Sequence, residues 1–374
     1  MMTTKSAEDY DLRTQFTAGD ALLCKHSAVT KGYYKDDFIT AFVNLESSPN
    51  GAPTSPMRKP PIINRGYFAR VFSIDQTINK FLSSLDPRSK KQIISLGSGF
   101  DTLSLQLLQK NDENLHIFEI DFEKIIKRKI ATCLSNPTIR NLLTRECKDN
   151  VTSPDINIKK GKTNGAHDLN DSSASQNIKE YSFDNVHFLS SDLRNPKAVV
   201  TKLLLAGLDA TAPTLIITEC VMVYLEKEHS EKLCADMSSM LKDAAWVTYD
   251  MIAPNDIFGK AMLRNITSSG FRIPGFEDYP TLDSQVGRFL NNGWCEARST
   301  SMLSVYNNWL SLEDKNRIAK LEIFDEIEEW QMLMCHYSLT VAVKGTMLLS
   351  VLPEPLTLTT RTTQPAPVTV TCQT

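Results

Sequence analysis

The sequence predicts an α/β fold built on one mostly parallel sheet with helices on both faces. Three observations carry that prediction. Strand-like and helix-like runs alternate between residues 92 and 251, the pattern that parallel strands joined by crossover helices produce. The first strand candidate runs into SLGSGFDT (95–102), with two glycines one residue apart, at the end of the strand where open α/β sheets take ligands. The 374 residues, 41% apolar and 23% charged, are enough for one large core.

In chain order, residues 1–20 are polar and acidic and are expected to be disordered. Residues 20–90 read as a helical cover broken by a Ser/Pro/Gly loop at 47–61. In its second half Ile63, Tyr67, Val71, Ile74 and Ile78 recur at helical spacing, and Phe68 and Phe72 widen the stripe. Strand candidates follow at 92–97, 115–121, 186–192, 214–220 and 245–251, with a shorter pair near 294–300 and 338–345. Helical segments at 101–110, 122–143, 195–206 and 226–242 separate most of them. Residues 148–180 are rich in Asn, Ser and Lys without periodicity, and read as an exposed insertion. The Pro/Thr-rich tail, 346–374, gives a core little to use and is expected to be disordered. One domain over 21–345 is the reading that results.

Composition narrows the function. A net charge of −3 offers no electrostatic hold on nucleic acid or an anionic membrane. No apolar run approaches a membrane span, and the first twenty residues lack the apolar core of a signal peptide. The eight cysteines form no CxxC pair and the six histidines are dispersed. That pattern fits reduced thiols in the cytoplasm and no metal site. A monomer is expected.

Chemistry concentrates at the strand ends. Gly97 and Gly99 let a ligand approach bare backbone, but Thr102 stands where a dinucleotide fingerprint needs a third glycine. A tight turn without a ligand is the competing account. In FEIDF (118–122), Glu119 and Asp121 share one face of a strand. Asp121 lies about twenty residues past the glycines, where an acid accepts ribose hydroxyls or merely caps the next helix. Asp192 ends the third strand, placed for an adenine amino group or as a helix cap. Glu219 interrupts the apolar run TLIITECVMVYL, and an acid inside a central strand is costly without a partner. Four strand ends therefore suit a ligand with ribose, adenine and a positive charge but no phosphate. S-adenosyl-L-methionine has that chemistry.

Ten stretches carry a resemblance: LCKHSAV (23–29), INRGYFARV (63–71), SLGSGFDT, FEIDF, SDLR (191–194), TECVMVY (218–224), DIFG (256–259), NNGW (291–294), LEIFDEIEEW (321–330) and HYSLTVAVKG (336–345). In these, and in their order, the chain resembles the leucine carboxyl methyltransferase family, which methylates the C-terminal leucine of the protein phosphatase 2A catalytic subunit. The resemblance implies a class I methyltransferase, a Rossmann-like sheet of seven strands with the last antiparallel, beneath an added helical cover. It also implies a cofactor site of Lys25, Arg70, Gly97, Asp121, Asp192, Leu193 and Glu219. Lys25 and Arg70 would hold the cofactor's carboxylate or the substrate's. A sister branch acts on a tRNA wybutosine precursor and carries a long repeat-rich half, which this sequence does not show.

Such a reaction agrees with the residues. A terminal carboxyl, with a pKa of about 3.3–3.7, is already an anion at neutral pH and needs no general base. No His/Asp pair stands out near the strand ends. Tyr224, at the turn after Glu219, either positions the substrate or packs. Cys220 reads as a small buried side chain rather than a nucleophile, and His336-Tyr337 as core. The alternatives are a small-molecule or tRNA-precursor carboxylate as substrate, or a non-catalytic phosphatase-binding protein.

Overall fold

The computed structural model describes residues 7–43, 58–144, 182–345 and 357–359. The helical cover consists of α1 (Ala7–Thr30), α2 (Ile39–Val43) and α3 (Pro61–Ser83). Pro61 opens α3 at a position whose N–H would be unpaired in any residue. This helix buries Phe68, Ile74, Ile78 and Phe81 and, one turn before Ile74, Arg70.

The sheet starts with β1 (Lys91–Leu96), α4 (Leu103–Leu108), β2 (Leu115–Asp121), α5 (Glu123–Ser135) and α6 (Pro137–Leu143). The helix expected over 122–143 is thus two, because Asn136 caps α6 through the amides of Thr138 and Ile139, and Pro137 begins it. Next come β3 (Ser182–Phe183), β4 (Val186–Ser190), α7 (Pro196–Leu205), β5 (Thr214–Glu219), α8 (Lys227–Met240) and β6 (Ala244–Met251). Helices α9 (Ile257–Ser268), α10 (Pro274–Asp278) and α11 (Leu282–Leu290) lead to β7 (Glu296–Ser301). Helices α12 (Met302–Trp309), α13 (Leu312–Ala319) and α14 (Ile327–Cys335) lead to β8 (Tyr337–Lys344), and β9 (Thr357–Thr359) follows.

The strands form one sheet in the order β3-β4-β2-β1-β5-β6-β8-β7-β9. β1 lies between β2 and β5, parallel to both, while β8 runs antiparallel to β6 and β7 on its two sides. The seven-stranded core that the resemblance implies is therefore present, with β3 and β9 added at its edges. Alternate residues serve opposite faces. Ile93, Leu215 and Val247 pack under the cover with Leu22, Phe42 and Phe81. Ile94, Ile216 and Trp246 pack on the other side with Leu233, Phe289 and Trp294.

Two expectations of disorder need correction. Within 1–20, Ala7 onward is helix, because polar side chains of α1 are held by Arg194 after β4, Ser269 after α9 and Tyr224 after β5 rather than by apolar burial. Within 346–374, Thr357–Thr359 pairs antiparallel with Ala297–Ser299 of β7, whose edge offers free backbone donors and acceptors. The insertion at 148–180 lies outside the described residues.

Candidate active site

A cavity of about 370 Å3 opens at the carboxyl ends of β1, β2, β4 and β5, under α1 and α3, within the range of small-ligand sites. Lys25, Arg70, Gly97, Asp121, Asp192, Leu193, Glu219 and Tyr224 all line it. They come from α1, α3 and five segments of the sheet half, so the fold brings together what the sequence scatters over two hundred positions.

The turn after β1 forms the floor. Gly97 has φ +67° and Gly99 φ +53°, the left-handed region that favours glycine. A Cβ at Gly97 would also stand 2.5 Å from Val221 Cγ2. Asp121 braces the turn: Oδ2 accepts from Gly99 N at 2.7 Å and Oδ1 from Phe122 N at 2.6 Å. Each oxygen keeps a lone pair for a ligand hydroxyl. Burial pushes the Asp121 carboxyl up to about 6 although these two N–H groups work the other way.

At the inner end lies a compensated cluster of two acids and two bases. Lys25 Nζ is 2.9 Å from Glu219 Oε1 and also contacts Asp101. Arg70 Nε donates to Glu219 Oε1, and its Nη2 lies 3.3 Å from the Glu219 carbonyl oxygen. The Arg70 guanidinium sits 5.1 Å from the ring centroids of both Tyr67 and Tyr249, which favours a cation there. Burial alone would raise the Glu219 and Asp101 carboxyls. The charges of Arg70 and Lys25 outweigh it at Glu219, and Lys25 does so at Asp101, so both lie below the ordinary range. Arg70 is the partner that makes an acid in β5 tolerable.

At the rim, Asp192 binds Arg194 Nε through both oxygens at 3.0 Å. It does not cap α7; Asn195 does, accepting from Ala198 N. The Tyr224 hydroxyl meets Thr17 of α1. Glu119, although two residues from Asp121, stays out of the cavity and pairs with buried Lys129 of α5. Burial drives the Cys220 thiol up to about 12, which keeps it protonated and unreactive at neutral pH. His336 is bound at Nε2 by Asp256, 2.9 Å away, and at Nδ1 by the Met332 carbonyl, a structural tie.

Five participants were not evident from the sequence. Asp101 follows the glycines in SLGSGFDT, and only the structure shows it on Lys25. Thr14, Thr17 and Ala18 of α1 line the cavity from a segment expected to be disordered. Arg194 was visible in SDLR, but its partner Asp11 lies 183 residues away.

The donor set fits S-adenosyl-L-methionine. Asp121 has free lone pairs of the kind ribose hydroxyls would need, Asp192 and Leu193 line the same cavity, and the Glu219, Arg70, Lys25 and Asp101 cluster carries both charges that an amino-acid end would need. Among described residues no group of acids, histidines and cysteines could hold a metal ion.

Comparison with known proteins bears on the family. The leucine carboxyl methyltransferase family model matches residues 13–238. The chain is 35% identical over 334 residues to a leucine carboxyl methyltransferase 1 homolog of Arabidopsis thaliana, spanning 89% of this chain and 90% of that one. It is 34% identical over 332 residues to leucine carboxyl methyltransferase 1 of Rattus norvegicus, spanning 88% and 89%. To tRNA wybutosine-synthesizing protein 4 of Homo sapiens it is 30% identical over 353 residues, 93% of this chain but 46% of that protein. A distant structural likeness is phosphoethanolamine N-methyltransferase 2 of Haemonchus contortus, solved with S-adenosyl-L-methionine, at TM-score 0.40 and 11% identity over 75% of this chain and 57% of that one. With a family model over 13–238 and relatives aligned along most of both chains, this protein belongs to the leucine carboxyl methyltransferase family, whose cofactor is S-adenosyl-L-methionine.

Proposed function

We propose that the protein forms a methyl ester on the C-terminal leucine carboxylate of the protein phosphatase 2A catalytic subunit, and so regulates assembly of that phosphatase. The observation that carries this reading is the end-to-end match to leucine carboxyl methyltransferase 1 relatives, about 90% of both chains. The wybutosine relative is matched over 46% of its length. That second reading, a carboxylate on a tRNA precursor, is kept because its identity is almost as high.

When bound, the cofactor supplies an electrophilic methyl group on a cationic sulfur. This chain's residues then bind, orient and exclude water. Asp121 takes the ribose, while Lys25 and Arg70 exchange part of their bonding to Asp101 and Glu219 for a ligand carboxylate, which Arg70 holds with a planar fork. The α1 helix roofs the cavity and keeps it dry. Tyr224, with Thr17, faces the space beyond Glu219 where an acceptor would enter. No side chain is needed as a base, since the acceptor arrives ionised; positioning alone can contribute about 7–11 kcal/mol in well-oriented systems.

The test uses purified protein, methyl-labelled S-adenosyl-L-methionine and the phosphatase core enzyme with and without its terminal leucine. Base-labile label that requires the leucine is expected. Label on a wybutosine-precursor RNA instead would favour the second reading. Cofactor binding without transfer to either would leave a binding protein.

A further inference from the structure

We propose that Arg194 is a positioning residue that clasps the amino-terminal half of α1 over the cofactor cavity, with Asp11 as the releasable side of the clasp. The proposal rests on the reading of this cavity as the S-adenosyl-L-methionine site.

The geometry is that of a shared fork. Arg194 Nη1 and Nη2 donate to the two carboxylate oxygens of Asp11 at 2.9 and 2.7 Å. Its Nε and Nη2 reach Asp192 at 3.0 and 2.5 Å. Bidentate contacts on both sides fix the guanidinium plane and leave little freedom in either carboxylate. Asp192 Oδ1 also accepts from Arg194 N at 2.9 Å, so both carboxylate oxygens are engaged by Arg194 and a ligand N–H would share one of them. One cation therefore sets the orientation of a cofactor residue and the position of the roof together.

What makes the clasp matter is how little else holds this part of α1. Among residues 10–18 no side chain is buried. Leu12 and Phe16 are 41% and 61% exposed, so the apolar side chains of these turns face outward. Their cavity-facing neighbours are polar or small: Asp11, Thr14, Thr17 and Ala18. Beyond Leu22, in contrast, the helix is anchored in the core. Among the described residues the further tethers are hydrogen bonds, from Arg13 Nη1 to the Ser269 carbonyl at 3.0 Å and between Tyr224 and Thr17. Segments with few buried apolar contacts open at low cost, and Ala18 lies directly over Gly99. Opening this half of α1 uncovers the cofactor turn; closing it seals that turn.

Because the three side chains are 32–40% exposed, salt reaches the clasp and its effect is modest. The experiment measures release of S-adenosyl-L-homocysteine from the whole protein at about 50 and about 500 mM salt, across which screening tightens several-fold. Wild type is expected to release it roughly three- to five-fold faster at high salt, the range of a well-oriented exposed ion pair. Asp11→Asn should release at the fast rate in both buffers, and Asp11→Glu should restore most of the salt dependence. Asp11→Asn with the wild-type rate and salt profile overturns the proposal. Amide exchange of residues 10–18 relative to 22–30, in protein without ligand, gives a second reading. Faster exchange in Asp11→Asn supports the clasp, and unchanged exchange overturns it even if the cavity takes no S-adenosyl-L-homocysteine. Failure of wild type to bind that molecule would instead overturn the cofactor reading.

Discussion

At the level of single residues, Arg70 and Asp121 do opposite things with burial. Arg70 is buried because it neutralises Glu219, so Arg70→Ala should abolish methyl transfer and also cost about 2 kcal/mol of stability. The cost is below that of an isolated buried pair because Lys25 still faces Glu219. Arg70→Lys should keep most of the stability but not the fork, and so not the rate. Thermal melts beside the transfer assay check both; a fully active Arg70→Ala removes the residue from the mechanism. Asp121 is raised by burial to about 6, so above that value it is ionised, and the proposed role of accepting ribose hydroxyls would be lost below it. Affinity for S-adenosyl-L-homocysteine should therefore fall by up to about ten-fold between about pH 7.5 and pH 5, measured by calorimetry. A flat profile over that span excludes Asp121 as an acceptor that must be ionised.

Among the elements, the strands that build the site were legible because each is a short apolar run ending on an acid or glycine. β2, β4 and β5 lie within the ranges expected, and β1 begins one residue earlier, at Lys91. The amino-terminal half of α1 was not legible: its inward face carries Asp11, Thr14 and Thr17, and its apolar Leu12 and Phe16 point away. Helical periodicity registers apolar faces, and this one is polar by design of the cavity. Most of the helices between β6 and β8 were hidden for a different reason. They are short, and their starts depend on single side chains such as Asp256, Thr281, Ser301 and Ser311, residue types that are as common in turns as at helix starts. β9 spans three residues, too few for any period. Its role yields a prediction: deleting 348–374 should leave the turnover rate near wild type but expose the edge of β7 and raise concentration-dependent aggregation, followed by light scattering. Deleting 148–180 should alter neither. A large loss of rate in either deletion would place those segments in substrate docking.

For the molecule as a whole, stability depends on buried charge as well as on the two apolar layers. Asp250 of β6 and Arg288 of α11 are fully buried, 3.5 Å apart, with the guanidinium 3.7 Å from the Tyr279 ring centroid. Removing Arg288 leaves the acid without a counter-charge, so Arg288→Ala should cost about 3–5 kcal/mol. Burial raises Asp250 to about 6 despite Arg288, and without Arg288 it rises further. A raised carboxyl favours the fold while protonated and loses that contribution as pH climbs past its folded value. The deficit of Arg288→Ala should thus be larger at about pH 8 than at about pH 5, as denaturant midpoints would show; an equal deficit at both would mean Asp250 does not titrate. Strand order has a further consequence, felt during synthesis. The strands that floor the cavity are made early, but the slot between β6 and β7 is filled by β8 (Tyr337–Lys344). Until those residues clear the ribosome, β6 presents an unpaired edge and β7 has no neighbour through which to join the sheet. A nascent chain stalled before residue 337 would carry nearly every cofactor residue yet remain an open, adhesive sheet. A premature stop codon there would make a chaperone client, not a slow enzyme.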